Sequence, residues 1–592
     1  KWDIRTTAAP EQALSISVYP SFKRFIVNVN AGNMVTDPEG EDAAKVASSV
    51  AITLKGPDGK ELARDTLTFD REKKQLSGSK AYALADLPEG DYVVSAVFDK
   101  QPDQPVSKTY TRKKFAFEGN TIGMTDTVYP PFTPVEAKGP RVAVVGREYE
   151  AGRLGLWRTV RRLGKDLLAG PIALRADGAR VLDGEPRPVS ATPTAATFES
   201  SVADEAVTLT STSVTEMDGC TKVTLTLAPG TKQAELKSLA LEIPLVDSLM
   251  PLWHCATTGL RNNPVGTAPQ GDGTVWDSSK FPDGSWIGTF KPYIWLGGTD
   301  RGLCWFANND KGWELSWNEK KVFRPCQELI RKDGVLTLRI NLVQKPVTLT
   351  APRTIVFGLM ASPGKPMPED WRRTRFASGS IPGHEKTVSS INLMGSQYWG
   401  SDETFCAAYP RNADLSFLDA MRRIPGTPGG DMARESGAKF LADWEERNFK
   451  PDMPLGSKEK KQIMHLANLC INVWGSSGGN SYNTAYWDEY HGDSPLHPER
   501  KVFNGEWSAN LMAQSRQDFR AYWGAEFVKR NFGLYFDNAY PRATKDELTS
   551  DAYAIPGFGV QQSALIWEQR NYHRRIWNIH KEFGAKWNNR PV

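Results

Sequence analysis

Phe532-Gly533-Leu534-Tyr535-Phe536-Asp537-Asn538-Ala539-Tyr540-Pro541 is an apolar run that stops abruptly at two polar side chains. Long amphipathic stretches flank it, SANLMAQSRQDFRAYWGAEFVKR (508–530) before and GVQQSALIWEQRNYHRRIWNIHKEFGAK (559–586) after. A strand between two helices predicts right-handed βαβ units and a parallel sheet. The same texture extends upstream. INLMGSQYWG (391–400) reads as a strand, LSFLDAMRR (415–423) and SKEKKQIMHLANLCINVW (457–474) as helices, and 502–504 as a strand before the helix that starts near Ser508. A C-terminal (β/α) barrel of the TIM type is therefore expected over residues 386–592. About 205 residues follow position 387, where a typical eight-fold barrel takes about 250, so the expected barrel is incomplete in this chain or a compact variant.

The first half has a different period. SISVYPSFKRFIVNVN (15–30), SSVAITLKGPDGKEL (48–62) and YALADLPEGDYVVSAVFD (82–99) alternate with period two and are punctuated by the turns Pro57-Asp58-Gly59 and Pro88-Glu89-Gly90. Such strands bury one face, and an Ig-like β-sandwich is expected over residues 1–120. A linker with prolines at 130, 131 and 134 follows. Alternation then resumes in VAVVGREYE (142–150), ALRADGARVL (173–182), AVTLTSTSVTEM (206–217), TKVTLTLAP (221–229), KSLALEIPLV (237–246), YIWLGG (293–298), LCWFAN (303–308), TLRINLV (337–343) and TIVFGLMAS (354–362). So many strands must pack as two sheets, which predicts a large β-sandwich over 121–385. The expected fold class is multidomain β plus α/β.

Composition excludes several functions. Lys and Arg total 73 against 69 for Asp and Glu, a net charge of +4, and no long basic run could track a phosphate backbone. Nucleic acid is not an expected partner. No apolar run approaches the roughly 20 residues of a membrane helix. Six cysteines are scattered without a CxxC or a neighbouring histidine at ligand spacing, so no cysteine metal site and no cofactor is expected. Buried free thiols are the expected state, with Cys304 and Cys326 the nearest pair for a bridge. No nucleophile elbow, dinucleotide fingerprint or P-loop stands in its required context. The start at Lys1 fits either a mature chain after signal cleavage or a trimmed one. Nineteen tryptophans supply flat faces suited to sugar C–H groups as well as to cores.

The catalytic candidates follow from strand ends. Asp537 ends its strand where parallel α/β architectures gather their active sites. Glu506 in KVFNGEW (501–507) lies one βα loop earlier, and a facing pair of carboxylates is what glycoside hydrolysis needs. Glu506 is equally suited to the first turn of its helix. The stretch SYNTAYWDEYHGDSPLHPER (481–500) is the densest polar and aromatic cluster, and Glu489 within it is a further acid candidate. Substrate-binding candidates are Trp487, Asp488, Tyr490 and His491 there, with Trp399, Trp507, Tyr535 and Asn538 at the other strand ends. His491 and His497 match no metal motif, and no metal is expected.

GMTDTVYPPFTPV (123–135), GREYE (146–150), YIWLGGTDRGLCWFANNDKGW (293–313) and GLYFDNAYP (533–541) together resemble bacterial glycoside hydrolase domain proteins related to the family 123 β-N-acetylgalactosaminidases. The likeness runs from about residue 120 onward. It implies a sandwich supporting a (β/α)8 barrel, a secreted or periplasmic setting and an oligo- or polysaccharide substrate. In that family an Asp-Glu pair ends a barrel strand, the Asp orienting the substrate acetamido group and the Glu acting as acid. Here the pair is Asp537-Asn538, and an amide cannot donate a proton as an acid. The acid then comes from Glu506 or Glu489, or the sugar lacks an acetamido group, or hydrolysis is lost and the chain binds glycans or assembles at a surface. A polysaccharide lyase is a further alternative, which needs a Tyr or His base and often calcium. Trp295, Trp305 and Trp313 of the middle motif are expected in the sandwich core and at its interface with the barrel.

Overall fold

A computed structural model describes residues 13–19, 22–34, 47–69, 76–112, 114, 118–256, 263–280, 286–367, 376–377, 388–393, 470–474, 517–518, 521–522, 525, 532–535, 543–545, 547 and 550–583. The chain divides into two compact units. One holds Lys1–Gly123, Arg375–Ala539 and Arg575–Val592; the other holds Met124–Thr374 and Tyr540–Arg574.

In the first unit, the alternating segments form β1 (Leu14–Tyr19), β2 (Arg24–Asn30), β3 (Ser49–Lys55), β4 (Glu61–Thr68), β5 (Ser77–Ala83), β6 (Gly90–Phe98) and β7 (Val106–Arg112). They make a three-stranded sheet, β1-β2-β5, and a four-stranded sheet, β4-β3-β6-β7. Tyr92, Val94, Ala96 and Phe98 on β6 meet Phe25 and Val27 on β2 and Val50, Ile52 and Leu54 on β3 in one core. Period two along each strand is what allows both sheets to bury one face. Gly59 takes φ +76 in the β3–β4 turn, the left-handed position the Pro-Asp-Gly sequence predicts. The Tyr92 hydroxyl donates to the Pro88 carbonyl at 3.0 Å.

The same unit carries four parallel strands in the order Phe376–Ala377, Val388–Leu393, Cys470–Trp474 and Phe532–Tyr535. The expected parallel sheet is thus present; closure into a barrel is not shown. Cys470–Trp474 corrects the helix expected over 457–474, because its last five residues are extended. Ile471 and Val473 are β-branched and favour that state. Residues 517–518, 521–522 and 525 are helical, within the stretch read as a helix.

The second unit is a sandwich of a nine-stranded and a six-stranded sheet, with a smaller five-stranded sheet beside them. The nine strands run in space through Arg187–Ala191, Ala195–Ala203, Val207–Glu216, Cys220–Pro229, Arg353–Ser362, Gly302–Phe306, Tyr293–Gly297, Leu252–Cys255 and Val265–Thr267. Val223, Leu225, Ile355, Phe357 and Trp305 from this sheet share one core with Leu241, Ile243, Leu338 and Ile340 from the six-stranded sheet. The five-stranded sheet is formed by β8 (Glu136–Lys138), β9 (Arg141–Val144), β10 (Arg147–Ala151), β11 (Trp157–Arg162) and β12 (Lys165–Asp166), in the order β12-β11-β10-β9-β8. VAVVGREYE is therefore a hairpin rather than one strand, folding back at Val145-Gly146 with Gly146 at φ +70.

Helix α1 (Ile566–Phe583) closes the described part of the chain. It starts seven residues later than the expected helix, because Tyr553–Ile555 and Gly559–Gln561 pair as a short antiparallel hairpin. Cys220, Cys255, Cys304 and Cys326 are buried free thiols, so the Cys304–Cys326 bridge does not form.

Candidate functional site

The parallel sheet presents its carboxyl ends along one edge. Leu393 pairs with Val473, Val473 with Leu534, and Trp474 with Tyr535, so the strands ending at Leu393, Trp474 and Tyr535 finish within one residue of each other. In parallel sheets ligands and catalytic side chains gather at that edge, because the loops after the strands converge there. Asp537 and Asn538 follow Tyr535 at two and three residues in the sequence. Asp537 itself, Asn538, Glu506, Glu489, Trp487, Asp488, Tyr490, His491, Trp399 and Trp507 lie outside the described residues, and of Tyr535 only the strand position is described.

Sequence reasoning missed a polar constellation in the sandwich unit. The strand Gly302–Phe306 is buried at every position and runs into Asn308-Asn309-Asp310, three polar side chains that are also buried. Asn308 accepts the Ile566 amide at 2.8 Å, satisfying one of the orphan donors at the start of α1. Its Nδ2 donates to Glu568 Oε2 at 2.9 Å and approaches Asp551 Oδ2 at 3.5 Å. Asn309 Nδ2 donates to the Asp551 carbonyl at 2.8 Å. Asp310 accepts from the Tyr553 hydroxyl at 2.8 Å and from Gln561 Nε2 at 3.0 Å. Three consecutive amide or carboxyl groups directly after an apolar strand are the signal that could have found it.

The electrostatics follow from burial. Asp310 is fully buried, and desolvation pushes its carboxyl up to about 6 although Gln561 and Tyr553 pull it down. Glu568 is pushed up to about 7 by burial first and by the Asp551 charge second, with the Asn308 hydrogen bond opposing. Asp551 and Glu568 are partly exposed. Glu568 can therefore hold a proton near neutrality, whereas Asp310 is sealed beneath Tyr553 and Gln561 and serves to hold the hairpin on the sandwich.

The other motif residues are also structural. Arg147 of GREYE is buried and donates to the carbonyls of Ala361 at 2.8 Å and Gly364 at 2.7 Å. Tyr149 stacks on Trp157 with ring centroids 4.6 Å apart. Trp305 and Trp313 lie in the sandwich core, while Trp295 is partly exposed and donates to Ser362 Oγ at 2.9 Å. Arg570 on α1 bonds both oxygens of Asp218 at 2.8 and 2.7 Å, and Arg574 bonds Glu216 at 2.7 Å. Among the described residues no group of His, Cys, Asp and Glu has the arrangement to hold a metal ion, and no helix is long and apolar enough to cross a membrane.

Residues 135–296 match the family described as glycoside hydrolase 123, third domain. That segment begins at the five-stranded sheet and ends within YIWLGG. A candidate aldose 1-epimerase of Escherichia coli K12 is similar in structure with a TM-score of 0.22 and 10% identity, over 39% of this chain and 98% of that one. A mutant heparan sulfate lyase of Pedobacter heparinus is similar with a TM-score of 0.24 and 11% identity, over 40% of this chain and 36% of that one. This chain therefore spans about a third of the lyase. No curated protein matches the chain.

Proposed function

We propose, on the premise that residues 135–296 are a glycoside hydrolase 123 third-domain segment, that the chain is a glycoside hydrolase whose catalytic centre lies at the carboxyl ends of the parallel strands. The observation that carries this reading is the position of Asp537 two residues beyond the strand Phe532–Tyr535. The proposed catalytic unit is a (β/α) barrel of which the four parallel strands form part, and the proposed setting, secreted or periplasmic, rests on the family resemblance alone.

In the proposed mechanism Asp537 acts as the ionised carboxylate, orienting an acetamido group or activating water. Glu506 or Glu489 supplies the proton to the leaving oxygen, since Asn538 has none to give. Carboxyl groups about 5 to 5.5 Å apart imply retention of anomeric configuration, and about 6.5 to 9.5 Å imply inversion. The proposed substrate is an oligo- or polysaccharide, N-acetylhexosamine-containing where Asp537 orients an acetamido group. Asn538 in the acid position favours a second reading, a chain that binds glycans without cleaving them. A screen on aryl glycosides and natural glycans, with Asp537→Ala, Glu506→Gln and Glu489→Gln as controls, separates the two: release of sugar that depends on Asp537 and on one of the two glutamates supports hydrolysis, and glycan binding without release supports the second reading.

A further inference from the structure

β8 to β11 put one row of side chains per alternate position on the outward face of their sheet. Glu136, Ala143, Glu148 and Arg161 stand side by side across the four strands, and Lys138, Arg141, Glu150 and Thr159 form the next row. The alternate residues Val142, Tyr149 and Val160 face the core. Ala143 and Thr159 are short among long neighbours, so the charged chains wall a hollow of about 230 Å³. Its base spans four strands, about 15 Å across, and two residues, about 7 Å along.

Of the six charges around the hollow, only Glu150 has an ion-pair partner among the described residues, and that partner, Arg158, lies outside it. Glu148 lies directly opposite Arg161 and Arg141 directly opposite Glu150, yet neither couple forms an ion pair. Glu150 has only a distant contact, 3.8 Å, to Arg158. Elsewhere in the same unit two such couples close: Arg187 meets its opposite neighbour Glu199 at 2.7 Å, and Arg339 meets Glu242 at 2.7 Å. Open couples of this kind leave carboxylate acceptors and guanidinium or ammonium donors free to meet a ligand.

We propose that this face is a binding site for one neutral saccharide ring. The three carboxylates and the three cations lining the hollow cancel, so an anion meets Glu136, Glu148 and Glu150 and a cation meets Lys138, Arg141 and Arg161, each at a disadvantage. A sugar hydroxyl both donates and accepts, which suits a wall that offers carboxylate acceptors beside guanidinium and ammonium donors. The volume is below the roughly 300 Å³ at which pockets for drug-sized ligands begin, which limits the occupant to about one ring. The saccharide class rests on the function proposed above, and the open couples do not.

Saturation-transfer difference NMR on the full chain with N-acetylgalactosamine, N-acetylglucosamine, galactose and glucose tests the site, with glucuronic acid and glucosamine as charged controls. At least one neutral sugar is expected to bind, to bind at least tenfold more weakly to Ala143→Trp and Arg161→Glu, and to keep a site in Asp537→Ala. Both test positions lie on an outward face, and an unchanged melting temperature verifies folding. Equal binding by the wild type and both variants, tighter binding of a charged control, or no binding of any neutral sugar overturns the proposal. Variant-sensitive binding without any glycosidase activity leaves the site standing and removes the hydrolase reading; turnover with binding indifferent to both variants does the reverse.

Discussion

The Tyr553 hydroxyl donates to the buried Asp310 carboxyl at 2.8 Å, and through this bond the hairpin before α1 is fixed to the end of the strand Gly302–Phe306. The two residues are 243 apart in sequence, and neither local pattern announces the other.

Asp310 makes stability fall with rising pH. Its folded value of about 6 lies above its ordinary 3.8, so the native state holds the proton more tightly, and the contribution is complete below about 4 and lost as pH rises through 6. The full span is about 3 kcal/mol. Asp310→Asn cannot titrate, and its unfolding free energy, measured by denaturant titration from pH 4 to 7, is expected to lose most of that slope.

Glu568 behaves in the same sense over a higher window. Its value rises from 4.5 to about 7, so the stabilisation it gives is present below 4.5 and lost through 7. Glu568→Gln keeps a partner for Asn308 and removes the repulsion with Asp551. We expect the variant to match the wild type near pH 4.5 and to be about 1 to 3 kcal/mol more stable at pH 8; thermal melts at the two pH values check this.

In the other unit, Asp518 and Arg575 form an ion pair at 2.8 Å with both side chains almost wholly buried. Arg575 also donates to the carbonyls of Ile122 at 2.7 Å and Asn120 at 2.8 Å. Asp518→Asn leaves the guanidinium without its counter-charge and is expected to destabilise the chain by about 3 kcal/mol, read from the shift of the chemical unfolding midpoint.

Much of the sandwich was legible because a strand with one buried face writes its period into the sequence. β6 reads alternately buried and part-buried from Tyr92 to Phe98, as its apolar pattern predicts. Sequence pattern and structure part where a tertiary partner decides. CINVW follows an amphipathic stretch that reads as a helix, but parallel partners on both sides make it a strand. Gly559–Gln561 continued a helical pattern, yet Gln561 is buried because Asp310 and the Ile287 backbone take its side chain. The constellation around Asn308 stayed hidden for the same reason, since its partners lie more than 240 positions away. Of the catalytic candidates, Asp537 and Glu506 are legible only as strand-end positions, and Glu489 only as part of a polar and aromatic cluster.

The central claim, that Asp537 carries glycan hydrolysis, is tested most directly by kcat/KM of Asp537→Ala against the wild type on the best aryl glycoside from the screen. A loss of at least about 100-fold, with an unchanged melting temperature, is the predicted result. Equal kcat/KM in the two proteins contradicts it.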